Sequence, residues 1–155
     1  LSSQFLDLQK RFHPDNFALA QEGERLQSVQ KAAEINDAYQ TLKSPLSRAE
    51  YLLALNDVDI RGEQHTMQDS AFLLEQMELR EELEEIEEIE STQDAEEALF
   101  SFDGRVNKDY QIELQTLTIE LAQQNWLDAA VSVRKLKFIA KLKNEISRVE
   151  EKLLD

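Results

Sequence analysis

His13, Pro14 and Asp15 are the residues of this 155-residue chain whose types and spacing come closest to chemistry. An imidazole two residues from a carboxylate has the makings of a base and its orienting partner. The sequence sets no convincing nucleophile, Gly-rich phosphate loop or oxyanion nest beside them. His65 is the only other histidine, cysteine is absent, and no HxxxH spacing occurs, so no metal-ligand set is legible. The glutamates lack the Asp-rich, Gly-centred loop of a calcium site. The sequence therefore predicts no catalytic residue, no metal and no cofactor. What the tripeptide can do is recognise. An extended His-Pro pair presents ring and imidazole on a preset backbone, so binding orders little that is not already ordered. Asp15 can cap the turn or accept a hydrogen bond from a partner arginine.

The elements on either side must hold that turn. Upstream, Phe5, Leu8 and Phe12 recur at helical spacing on a segment ending in the basic pair Lys10-Arg11. Pro14 stops this helix, because it lacks a backbone N–H and disfavours helical geometry at His13. Downstream, Leu26, Val29, Ile35, Ala38, Tyr39 and Leu42 read as one apolar stripe, closed by Ser44-Pro45. With 3 Gly, 2 Pro and no β-type alternation, every long segment reads as helix. The pattern predicts an all-α fold with helices near 2–12, 24–42, 46–55, 70–90, 94–122 and 126–153. The stretch from Asn56 to Asp69 reads as a junction between two units. Asn125 is expected to cap the last helix with its side chain, and Thr92 the one before it. No internal repeat or sustained heptad is visible.

The net charge of −15 is unevenly spread. Nearly all of it falls on residues 62–101, where Arg80 is the sole cation. Such a surface repels phosphate backbones and anionic lipid, which argues against nucleic-acid and membrane binding and for a basic protein partner. No apolar run approaches a membrane span and no signal-peptide pattern opens the sequence. The absence of cysteine permits a reducing compartment.

The helix from Phe72 is two-sided. At 100° per residue, Phe72, Leu79, Leu83 and Ile86 form a stripe suited to burial. Leu73, Leu74 and Met77 fall on the other side, where Glu78, Glu81 and Glu84 also point. Large apolar residues on an acidic face need a cover, either a neighbouring helix or a partner. The last helix shows one stripe at Leu142, Ile146, Val149 and Leu153 and another at Trp126, Ala129, Val133, Leu136 and Ala140. One should meet the bundle and the other a second surface. Tyr110, Leu114, Leu117 and Leu121 read as core, and Trp126 as a packing anchor.

A His-Pro-Asp turn between a short basic helix and one carrying Ile35, Ala38-Tyr39 and Leu42, followed by Ser44-Pro45, resembles the J-domain of DnaJ-type co-chaperones. No Gly/Phe-rich linker or Cys-rich zinc module follows, unlike a general DnaJ. Instead the tracts Arg48 to Leu53, Glu63 to Thr66, Phe72 to Leu83 and Val133 to Phe138 resemble the HscB family, the J-type co-chaperones of iron–sulfur cluster assembly. The resemblance runs over nearly the whole chain. It implies a J-domain over residues 1–55 lacking its first helix, a junction over 56–69, and a scaffold-binding C-terminal three-helix bundle over 70–155.

It also implies a function. The J-domain would engage a specialised 70-kDa heat-shock chaperone of the HscA type and stimulate its ATPase, through His13, Pro14 and Asp15 with Lys10 and Arg11. The bundle would carry the iron–sulfur scaffold protein IscU, through Leu73, Leu74, Met77 and Phe138 with Glu78 and Glu81. Asn16 stands where the family often has a lysine, which thins the basic patch. The cysteine motifs of eukaryotic relatives are absent, pointing to a bacterial-type protein of the cytoplasm. Two other readings compete: a J-domain adaptor for a different client, and a helical structural protein in which the turn is incidental.

Overall fold

In the computed structural model residues 1–60 and 69–155 are described, and the chain divides into two compact units, Leu1–Tyr51 and Leu52–Asp155. The tract Glu63 to Thr66 and most of the expected junction lie outside the described residues. Among the described residues all regular structure is helical. No helix among them is long and apolar enough to cross a membrane.

The first unit pairs α1 (Ser2–Arg11) with α2 (Glu22–Lys43) across a short 3₁₀ turn, Pro14–Phe17. Phe5 stacks on Tyr39, with centroids 4.0 Å apart and planes 13° from parallel. The α2 stripe is narrower than its composition predicts. Ala32, Ile35, Tyr39 and Leu42 are half-buried, whereas Leu26, Val29 and Ala38 are exposed. At 100° per residue Leu26 and Val29 lie well away from the line through Ile35, Tyr39 and Leu42, so one face cannot hold them all. On α1, Leu8 is exposed while Phe5 and Phe12 are half-buried.

Pro45 opens α3 (Pro45–Leu55), where a missing N–H costs nothing. The Ser47 hydroxyl donates to the Thr41 carbonyl at 2.8 Å and Arg48 Nη1 to the Leu42 carbonyl at 3.0 Å, satisfying acceptors that the end of α2 leaves open. At the far end of α3, Val58 N–H reaches Leu53 O and Asp57 N–H reaches Ala54 O, with Asp57 left-handed at φ 61°. This Schellman pairing stops the helix.

The second unit is built on α4 (Ser70–Glu87), α5 (Thr92–Ala122) and α6 (Trp126–Leu154). Its main core joins Leu83 and Ile86 of α4, Leu99, Phe102 and Val106 of α5, and Leu142, Ile146 and Val149 of α6. The predicted α4 stripe is thus the buried one, with Leu79 half-buried against the same cluster. On α5 only Leu117 of the four residues read as core is buried; Tyr110, Leu114 and Leu121 are half-buried. Both stripes of α6 contribute. The late one joins the core, while Ala129, Val133 and Leu136 of the early one are also buried. Val58 lines a hollow with Ala130 and Val131, so the segment after α3 lies beside the early part of α6.

Helix ends depart from expectation at three points. Helix α4 stops at Glu87 rather than residue 90. Ser91, not Thr92, caps α5, its hydroxyl accepting from Asp94 N–H at 3.4 Å. Asn125 holds the N-cap position of α6, but its side chain makes no capping bond and donates to Gln123 Oε1 instead. The reason is local. Asn125 N–H bonds Glu120 O and Gln124 N–H bonds Leu121 O, so Asn125 also closes α5 in a Schellman turn whose left-handed residue is Gln124, φ 59°.

Candidate functional site

The His-Pro-Asp turn follows directly from how α1 ends. Phe12 N–H makes the last helical bond, to Leu8 O, and His13 then turns extended at φ −59°, ψ 133°. Pro14 starts the 3₁₀ turn, and the Asp15 backbone N–H donates to His13 Nδ1 at 3.2 Å. With Nδ1 accepting this bond, Nε2 is the ring nitrogen left for a partner. Asp15 Oδ2 lies 3.5 Å from Nδ1, yet its side chain is 91% exposed. The imidazole therefore caps the turn, and the carboxylate stays available to a partner.

Lys10 and Arg11 occupy the last turn of α1, where the helix dipole favours cations, and both are exposed. Asn16 fastens this end of the helix to the turn: its amide donates to Lys10 O at 2.6 Å and its backbone N–H to His13 O at 3.0 Å. Lys31, from α2, stands over the Phe12 ring at 5.0 Å, with Arg11 over the same ring at 5.4 Å. No local sequence pattern marks Lys31, because its approach depends on α2 folding back beside α1.

The second candidate surface is the outer face of α4. Leu74 is 56% and Met77 67% exposed, beside the exposed carboxylates Glu78 and Glu81. Leu73 is half-buried at the edge of this face. Phe138 reaches α4 from α6, meeting the Phe72 ring edge-on at 6.0 Å, and Arg80 stands 5.6 Å from its centroid. Phe138 is itself half-buried against the core. The five α4 residues thus share one element, and Phe138 joins them through Phe72 and Arg80. Lys135, 5.9 Å from the Phe72 centroid, is another cation the sequence pattern did not single out.

Ion pairs fix the acidic helix to its neighbours. Glu82 bonds Arg105 of α5, Glu87 bonds Lys152 of α6 at 3.0 Å, and Arg80 lies 3.8 Å from Glu145. The hydrogen bond that Arg105 donates to the Glu82 carboxylate is the largest cause holding the Arg105 pKa above its ordinary value. Each such exposed pair contributes at most about 1 kcal/mol. What they do is orient α4, so that its remaining acids face outward with Leu74 and Met77.

Residues 68–147 match the family described as the HSCB C-terminal oligomerisation domain. The co-chaperone protein HscB homolog of Vibrio vulnificus is 67% identical over 153 residues, covering 99% of this chain and 88% of that protein. The chain belongs to the HscB family. Its structure is similar to chaperone HscB from Vibrio cholerae, with a TM-score of 0.86 at 57% identity, covering 98% of this chain and 87% of the other. Human co-chaperone HscB is similar at a TM-score of 0.85 and 28% identity, covering 96% and 72%. The expected all-α class and the HscB resemblance both hold. A J-type co-chaperone role in iron–sulfur cluster assembly follows from that membership.

Proposed function

We propose that this chain stimulates the ATPase of an HscA-type 70-kDa chaperone and delivers an IscU-type iron–sulfur scaffold to it. Residues 1–55 act as the J-domain part, 56–69 as the junction and 70–155 as the scaffold-binding bundle. His13, Pro14 and Asp15, flanked by Lys10 and Arg11, touch the chaperone. Leu73, Leu74, Met77 and Phe138, with Glu78 and Glu81, hold the scaffold, and the work is done in the bacterial cytoplasm. The observation that carries this reading is the exposed, pre-formed His13–Asp15 turn in a chain of the HscB co-chaperone family.

The coupling is thermodynamic. A J-domain shifts a chaperone's cycle only by binding one of its states more tightly than another. Tethering scaffold and J-domain in one chain raises the scaffold's effective concentration at the chaperone. The ATP chemistry belongs to the partner. Single-turnover ATP hydrolysis by the chaperone, with and without this chain and the scaffold, tests the reading. Stimulation that rises further with scaffold supports it. Stimulation indifferent to scaffold points to another client, and none at all to an incidental turn.

A further inference from the structure

The paired helices α5 and α6 have two long grooves between them, and α4 fills one with Leu83 and Ile86. The other stays open where the start of α5 meets the end of α6, as a groove of about 520 Å³. Its floor is the outer surface of the core, from Leu99, Ile146 and Leu153. Phe100 and Leu154 stand at its walls, and Phe100 is 83% exposed. An aromatic ring this exposed, beside a groove with an apolar floor, is the geometry of a docking surface rather than of a solvated helix face.

Charge says what fits. Glu96, Glu97, Asp103 and Glu150 line the groove, and no Lys or Arg among the described residues pairs with any of them. A second copy docking by two-fold symmetry would set these carboxylates against their own equivalents. Anionic lipid and nucleic acid meet the same repulsion. A basic amphipathic helix does not: its apolar stripe covers Phe100 and the floor while its lysines or arginines meet the rim.

We propose that the groove around Phe100, between the first turns of α5 and the last turns of α6, docks a basic amphipathic helical segment of a partner protein. None of the α4 residues assigned to scaffold binding lines this groove, so it can be occupied independently of them.

The test uses the full chain and a fluorescent peptide of about 16 residues, Leu and Lys at helical spacing, beside a counterpart with Glu for every Lys. Anisotropy should show binding of the Lys peptide, weakening steeply as salt is raised, and none of the Glu peptide. Phe100→Ala should weaken binding by about tenfold or more, as loss of a central anchor does. The Glu97→Gln, Glu150→Gln double variant should flatten the salt dependence. Leu74→Ala with Met77→Ala should bind as the parent does. The proposal is overturned if the parent fails to bind, if Phe100→Ala binds equally well, or if the Leu74 and Met77 changes matter more. It is also overturned if sedimentation shows a dimer that Phe100→Ala dissolves, since the occupant is then a second copy. Unchanged helicity of Phe100→Ala secures the comparison.

Discussion

The Phe138 ring stands edge-on to Phe72, with centroids 6.0 Å apart and planes at 89°. This contact ties α6 to the first turn of α4. It also divides the proposed scaffold surface into a part anchored in the core and a part that is not.

Phe138→Ala should therefore lower stability by about 2–3 kcal/mol, below the ~3–5 of a fully buried Phe but well above surface noise. Leu74→Ala with Met77→Ala should cost less than about 1 kcal/mol in total. Urea unfolding decides it, and equal losses in both variants contradict the division.

The combined change Leu73→Ala, Leu74→Ala, Met77→Ala should weaken scaffold binding by several kcal/mol, since single hot-spot truncations cost about 2 or more. Most of its stability cost should come from half-buried Leu73. Titration calorimetry against the scaffold is the measurement. Unchanged affinity removes these residues from the site.

His13→Gln should abolish stimulation of the chaperone ATPase while shifting stability by less than about 0.5 kcal/mol, as for an exposed position. The imidazole's one bond in the turn is to the Asp15 N–H, and a solvated N–H finds water instead. Full stimulation by the variant would falsify the J-type assignment of the turn.

Asn16→Ala removes the amide that joins the turn to Lys10 O, so the backbone at His13 should loosen. Stimulation should fall several-fold while the melting temperature barely moves, since one exposed hydrogen bond contributes about 1 kcal/mol or less. Hydrogen exchange of the backbone N–H at position 16, which bonds His13 O, should quicken in parallel. An unaltered exchange rate means the amide does not hold the turn.

Gln124→Gly should stabilise the bundle by about 0.5–1 kcal/mol, because Gln124 sits left-handed at φ 59° where Gly meets no Cβ penalty. Thermal unfolding should move upward. A fall in the midpoint shows that the freedom Gly adds to the unfolded chain outweighs the relief of backbone strain.

The helical class, most helix limits, the His13–Asp15 turn and the buried stripe of α4 were legible in residue types and spacing alone. Each is local physics. Pro14 and Pro45 end the helix that precedes each of them, and a stripe recurring every three or four residues lies on one face whatever covers it. The rest depended on contacts between helices. Leu99, Phe102 and Val106 share one face of α5 by their spacing, but that α4 and α6 both close over this face is set by contacts between helices. Lys31 reaches Phe12, and Phe100 is left bare beside a groove, through the same cause. Periodicity tells which residues share a face of one helix, whereas which face a second helix covers depends on contacts between residues far apart in sequence.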